Sequence, residues 1–329
     1  MAVMQLQQKI VSVEKYVTGY MMIKPLLRIE DSAAVAADFY ICIQPATFKE
    51  LETALSRTSL ILADFDGVIV PFKGKPEQEY KKIITLIMKG DNNSKISIIT
   101  GRLDVSPNHV ISPRDFASET KVCLSLEMGG LMLLPDGEER ILVDKESLDI
   151  IHGLGKELDE YLFATFPGTV KEEKMTMLTY QRPDGVTSEK FGDVAVNFVK
   201  GLPKGIYEKV EIAMGERNLD IVVKGYNKGK AVDEVVDYIN GKAAEGIPGY
   251  SHVDVSKVVY LGDGSPDIPA FERVLSGGGV GIAPANADSR VTKFIVKDAT
   301  NRMILYEKDS SGCALDVLQI VLKDTARAS

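Results

Sequence analysis

The chain has 329 residues, 45% hydrophobic and 26% charged, which excludes a disulfide-stapled peptide and a mainly disordered polymer. At roughly 150 residues per domain, about two domains are expected. With 39 basic against 47 acidic side chains the net charge is -8, so neither nucleic acid nor an anionic bilayer is an expected partner. No window reaches about 18 consecutive apolar residues, and MAVMQLQQKIV has no basic stretch leading into an apolar one, so a cytoplasmic protein is expected. Cys42, Cys123 and Cys313 are too far apart for a CxxC pair and read as small core residues.

In chain order, Leu6, Ile10, Val13 and Val17 follow one helical face, and a second helix is expected near Asp31 to Ala37. Thr47-Phe48-Lys49-Glu50 is a capping-box pattern that opens a helix running to about Ser56. Residues 1–57 are read together as an N-terminal accessory segment. From Ser59 short apolar runs closed by Gly, Asp, Ser or Thr alternate with longer helix-like stretches. These runs are LILAD (60–64), ISIIT (96–100), VCLSL (122–126), VVYLGD (258–263), GVGIA (279–283) and FIVKD (294–298). They predict strands buried on both faces, hence a parallel α/β sheet with its ligand at the carboxyl ends of the strands.

The alternation breaks between about Arg140 and Asp220. A helix is expected near Ile150 to Tyr161 and another near Lys190 to Val199, with the alternating GTVKEEKMTMLTYQR (168–182) between them. This reads as an α+β insert in a Rossmann-like core. The alternation places Glu172, Lys174, Thr176 and Leu178 on one face; a polar outer face over inward-packed Met175 and Met177 explains the same pattern without a ligand.

The densest chemical signal is Asp64-Phe65-Asp66-Gly67-Val68, after a predicted strand. Two carboxylates this close repel each other unless a cation holds them, and their hard oxygens suit Mg²⁺. If the backbone turns after the strand, Asp64 can attack a phosphorus atom while Asp66 protonates the leaving oxygen. A surface DxDG turn is the competing reading of the motif alone. A calcium loop is disfavoured, because Val68, Ile69, Val70 and Pro71 follow where oxygen donors would be needed. Thr100, followed by Gly101, offers a hydroxyl and backbone N–H groups to a phosphoryl oxygen, although a helix N-cap explains Thr100 as well. Lys228 can place an ammonium beside Asp64. In Gly262-Asp263-Gly264-Ser265-Pro266-Asp267, Asp263 fits a direct metal ligand and Asp267 a ligand or its supporting partner. His109, His152 and His252 show no metal spacing.

In this order the four pieces resemble the haloacid dehalogenase superfamily of aspartyl phosphatases with a large α/β (type IIB) cap, over about residues 58–329. Asp64 to Pro71 is similar to the DYDGTLxP opening of trehalose-6-phosphate phosphatases, and Ile99-Thr100-Gly101-Arg102 to their (I/V)SGR segment. Gly168 to Lys174, with Tyr180-Gln181-Arg182, is similar to their GxxVExK…HYR strands. Val68, Gln181, the Glu127-Met128-Gly129-Gly130 segment and Gly264-Ser265-Pro266-Asp267 depart from that pattern and leave the substrate open.

The resemblance implies a discontinuous catalytic core (58–139 and 222–329) and an inserted cap (140–221). It implies a nucleophile at Asp64, an acid/base at Asp66, and phosphate contacts at Thr100, Gly101 and Lys228. Mg²⁺ would be held by Asp64, the carbonyl of Asp66, Asp263 and Asp267; Glu172, Lys174 and Arg182 of the cap would meet the substrate. The implied activity is hydrolysis of a small phosphorylated sugar. The alternatives are a phosphomutase or phosphotransferase using the same aspartyl chemistry, a phosphatase for another small metabolite, a non-catalytic sensor and a protein phosphatase. No second phosphate motif favours a mutase, all four acidic positions are present against a sensor, and the large insert disfavours a protein phosphatase.

Overall fold

The computed structural model describes residues 24–26, 40–42, 45–71, 78–89, 92–104, 111–215 and 218–324. The helices expected near Leu6 to Val17 and Asp31 to Ala37 lie outside these residues, as does His109. Strands β1 (Lys24–Leu26) and β2 (Tyr40–Cys42) form an antiparallel pair. Helix α1 (Phe48–Leu55) begins where Glu50 accepts the Thr47 backbone N–H at 2.8 Å and its hydroxyl at 2.9 Å.

The first half of the core then runs β3 (Leu60–Ala63), α2 (Gln78–Met88), β4 (Ile96–Ile99), α3 (Pro113–Thr120), β5 (Cys123–Leu126), β6 (Leu131–Leu133) and β7 (Glu139–Ile141). An insert follows: α4 (Lys145–Thr165), β8 (Val170–Glu172), β9 (Met177–Gln181), α5 (Ser188–Lys200), α6 (Lys204–Tyr207), β10 (Val210–Met214) and β11 (Asn218–Val223). The chain returns through α7 (Lys228–Ala244), β12 (Val258–Leu261), α8 (Ile268–Ser276), β13 (Val280–Ala283), α9 (Ser289–Lys297), β14 (Met303–Leu305) and α10 (Ser310–Asp324).

The core sheet has the order β14-β13-β12-β3-β4-β5-β6-β7. It is parallel from β14 to β5, with β6 and β7 antiparallel at one edge. Apolar residues cover both faces as the sequence predicts: Ile61 and Ala63 join one cluster, Leu60 and Leu62 the other. The insert forms a separate antiparallel sheet, β10-β11-β9-β8. Its apolar face, with Leu178, Tyr180, Leu219 and Ile221, packs on Leu154, Leu158 and Phe191 of its own helices. The molecule is therefore an α/β parallel-sheet core with an inserted α+β cap. No described helix is long and apolar enough to cross a membrane.

Four expectations shift. FIVKD is not a strand but the end of α9: Asp288 caps that helix by accepting the Arg290 and Val291 N–H groups, and Val291 and Ile295 bury one helical face. The edge strand is the later β14. Residues 168–182 are not one alternating strand, because the chain reverses at 173–176 between β8 and β9; Leu178 faces the cap core and Met175 is exposed. Leu51 and Leu55 of α1 enter the core cluster beside α10, and Ala46 bridges Tyr306, so the end of the expected accessory segment is built into the core. The cap boundary expected at 140 falls inside β7, which pairs with β6.

Candidate active site

Strands β12, β3, β4 and β5 are neighbours and end at one edge of the sheet, where each delivers a polar residue. Asp263 follows β12, Asp64 follows β3, Thr100 follows β4 and Glu127 follows β5. After Asp64 the chain doubles back, with the Val70 N–H donating to the Phe65 carbonyl at 2.8 Å and the Gly67 N–H to the Val70 carbonyl at 2.7 Å. Phe65, Val68 and Ile69 are fully buried and anchor this turn. Gly67 has φ +75°, and a Cβ there would lie 2.1 Å from an Asp263 oxygen, so only glycine fits.

Asn227 caps α7 by accepting the Gly229 and Lys230 N–H groups, which sets Lys228 in the first turn. A cation there opposes the helix dipole by about 0.3–1 kcal/mol. The buried ammonium is compensated by Asp64 Oδ2 at 2.6 Å and Asp267 Oδ1 at 2.7 Å. Burial alone would lower its pKa, but Asp267 and Asp64 overcome that and hold it above the ordinary lysine value. Asp267 is saturated: it also accepts the Tyr260 hydroxyl at 2.6 Å and the Asp263 and Gly264 N–H groups at 3.0 and 2.9 Å.

Carboxylate oxygens of Asp64, Asp263 and Asp267 lie within 4.8 Å of one another, and all three residues are buried. Burial, reinforced by Asp267, pushes Asp64 up to about 8 despite Lys228. Burial, with Asp64 and Asp267, pushes Asp263 up to about 9. Three carboxylates against one ammonium leave this cluster short of positive charge, and a hard all-oxygen donor set of this kind fits Mg²⁺.

Asp66 turns elsewhere: its Oδ1 pairs with Arg102 Nη1 at 2.9 Å. Arg102 is itself fixed, donating to the carbonyls of Asp104 at 3.2 Å and Ile111 at 3.0 Å, with its guanidinium 5.7 Å from the Phe65 ring centroid. Thr100 is buried; its hydroxyl oxygen accepts the Arg102 N–H at 3.2 Å and its own N–H donates to Ser125 at 2.9 Å.

One face of the cap sheet carries Met177, Thr179 and Gln181 of β9 with Asp220 and Val222 of β11 beside them. Met177 and Val222 pack on Met128 of the core, so this face is turned to the strand ends. Lys174 Nζ donates to the Gly101 carbonyl at 3.0 Å and lies 3.1 Å from Glu172, which also accepts the Gln181 amide at 2.7 Å. The Thr179 hydroxyl donates to Asp220 at 2.7 Å; burial pushes that carboxyl up to about 6 against this bond. Arg182 is placed differently. Alternation sets it with Tyr180 rather than Gln181, and Nη1 donates to the Val186 carbonyl at 2.6 Å.

Asp64, Lys228, Asp263 and Asp267 thus form one cluster, Asp66 and Thr100 meet at Arg102, and Glu172 and Lys174 reach the Gly101 carbonyl. The sequence reading passed over Arg102, Glu127, Asp220, Tyr260 and Asn286 as site residues. Asn286 donates to the Gly67 carbonyl at 3.1 Å and to Asp263 at 3.3 Å, and accepts the Ser310 N–H at 2.7 Å. Glu127 directly follows β5 as Asp64 follows β3, so the same strand-end rule, applied evenly, would have found it.

The architecture is a mostly parallel α/β core with acidic strand ends and an antiparallel cap inserted between β7 and α7. Three solved structures share it. A trehalose-6-phosphate phosphatase related protein aligns at 18% identity and TM-score 0.51, over 82% of this chain and 100% of its own. The sucrose-phosphatase of Synechocystis sp. PCC6803, solved with sucrose and phosphate, aligns at 16% and 0.52, over 80% and 97%. The C-terminal domain of the C. albicans trehalose-6-phosphate phosphatase aligns at 18% and 0.57, over 85% and 97%. No family model matches the sequence, and no curated protein matches it significantly. At these identities the likeness is one of fold.

Proposed function

We propose that this chain is a Mg²⁺-dependent phosphatase that hydrolyses a small phosphorylated sugar through an aspartyl-phosphate. The observation that carries this reading is the buried cluster of Asp64, Asp263 and Asp267 with Lys228 in contact with Asp64. In this reading the catalytic core runs from α1 through β7 and resumes at α7, and the cap is the insert from α4 to β11.

Asp64 is the nucleophile. Lys228 and the Phe65 N–H, the latter 2.7 Å from Asp64 Oδ1, orient its carboxylate. An Asp64 oxygen attacks phosphorus in line, a new O–P bond forms, and the bond to the sugar oxygen breaks. Asp66 gives that oxygen its proton, then takes one from the water that attacks phosphorus in the second step. The second displacement returns the Asp64 carboxylate and frees inorganic phosphate. Lys228 and Thr100 stabilise charge on the transferring oxygens. Mg²⁺, held by Asp64, Asp263, the Asp66 carbonyl and Asp267 or groups fixed by it, would neutralise charge on the phosphoryl oxygens when bound. Glu172 and Lys174, with Thr179, Gln181 and Asp220 beside them, offer acceptors and one ammonium to hydroxyls of the leaving group. Arg182 is the weakest member of the set, given its bond to Val186.

The test is phosphate release from hexose phosphates, disaccharide phosphates and phosphopeptides, with Mg²⁺ and with EDTA, following the product. Mg²⁺-dependent release of free phosphate from sugar phosphates, with little from phosphopeptides, is expected. An isomerised sugar phosphate would favour the phosphomutase, and release unaffected by EDTA would refute the metal's role.

A further inference from the structure

Glu127, at the end of β5, is 1% exposed and takes no part in the chemistry above. Its carboxylate accepts the Met175 N–H at 2.8 and 3.1 Å, the Thr176 N–H at 2.6 Å and the Thr176 hydroxyl at 2.6 Å. The acceptor belongs to the core and every one of these donors to the β8–β9 turn of the cap. A carboxylate can take all three donors without presenting one of its own, which an amide cannot do.

The backbone beneath it is unusual. Glu127 has φ +50°, Met128 +58° and Gly129 +94°. Two successive non-glycine residues in the left-handed region persist only where their surroundings fix them. The same segment holds the phosphate loop: the Glu127 N–H donates to the Arg102 carbonyl at 3.3 Å and the Met128 N–H to the Thr100 carbonyl at 3.2 Å. Met128 packs on Met177 and Val222 of the cap. Next to it, a Cβ on Gly130 would stand 2.1 Å from Thr176 Oγ1, so cap and core approach without space for a methyl group.

We propose that Glu127 is a positioning residue that ties the phosphate loop to cap docking. By accepting the donors of the cap turn it fixes 127–129, and through 127–129 it fixes Thr100 to Arg102 and the Arg102–Asp66 pair. Undocking the cap leaves a buried carboxylate without partners, releases the left-handed backbone and loosens the loop. The acid/base and phosphate contacts are therefore assembled only with the cap in place. This inference rests on the roles given to Thr100 and Asp66 above.

Hydrogen exchange on the full chain without substrate tests it, comparing the wild type with Glu127→Gln and Gly130→Ala. Gly130 has φ -75°, so alanine suits its backbone and acts by pushing on Thr176. In both variants amides of 173–177 and of 100–103 should exchange about tenfold faster, with β3 and β12 as protected as in the wild type. With Mg²⁺ and p-nitrophenyl phosphate, kcat should fall by about the same factor. If Glu127→Gln does not fold, Gly130→Ala carries the test. Faster exchange at 173–177 with 100–103 unchanged would overturn the proposal, as would a uniform rise across the core strands. A wild type that releases no phosphate would refute the proposed activity and leave the exchange result standing.

Discussion

Lys228 decides whether the acidic cluster can exist at all. It is 2% exposed and touches Asp64 and Asp267, so removing it leaves two buried carboxylates without their cation. Lys228→Met should abolish phosphate release and lower the unfolding free energy by about 3–5 kcal/mol. Urea denaturation with and without Mg²⁺ checks this, and Mg²⁺ should restore part of the loss by binding the native state. The same cluster gives a pH dependence of known sign. Asp64 and Asp263 hold protons to about 8 and about 9 in the metal-free folded chain, against an ordinary 3.8 when unfolded. Unfolding therefore releases protons over this interval, and metal-free stability should fall as pH rises from about 4 to about 9. Mg²⁺ competes with those protons, so the Tm gain it brings should grow with pH. A metal-free Tm that rises across this range in EDTA would contradict the account. Asp64 and Asp263 are legible in the sequence because each follows its strand within two positions. Arg102, Tyr260 and Asn286 are not, because their importance lies in partners met only through the fold: Arg102 with Asp66, Asn286 with Gly67.

At the scale of elements, the site depends on turns that follow strands. The Asp64 turn requires Gly67 at φ +75° against the Asp263 carboxylate. Gly67→Ala should destabilise the chain by about 1–3 kcal/mol and weaken Mg²⁺ binding, read by thermal melting and by calorimetric titration. Near-wild-type Mg²⁺ affinity would show that this turn does not set the metal geometry. The buried strands β3, β4, β5, β12 and β13 are readable because parallel strands covered on both faces are continuous apolar runs. FIVKD shows the limit of that signal: Phe294, Ile295 and Val296 make an apolar run, yet Asp288 starts a helix upstream and Val291 with Ile295 supplies its buried face. The reversal at 173–176 escaped for a related reason. It contains neither Gly nor Pro, and it is held from outside by Glu127.

Across the whole molecule, motif order made the insertion visible: the Lys228 motif follows Thr100 only after a complete antiparallel sheet and its helices. How the cap sits could not be read, because Lys174 on Gly101 and Thr176 on Glu127 join residues far apart in sequence. Net charge also takes on a location. A chain at -8 gathers Asp64, Asp263 and Asp267 around Lys228, so the acidity that disfavours anions in bulk is what holds the proposed metal. The central claim is that Asp64 attacks phosphorus, and turnover of the best sugar-phosphate substrate by Asp64→Asn in saturating Mg²⁺ tests it most directly. A rate at least about a thousandfold below the wild type is expected, in a chain that still folds. Phosphate release by that variant at a rate near the wild type would contradict the claim.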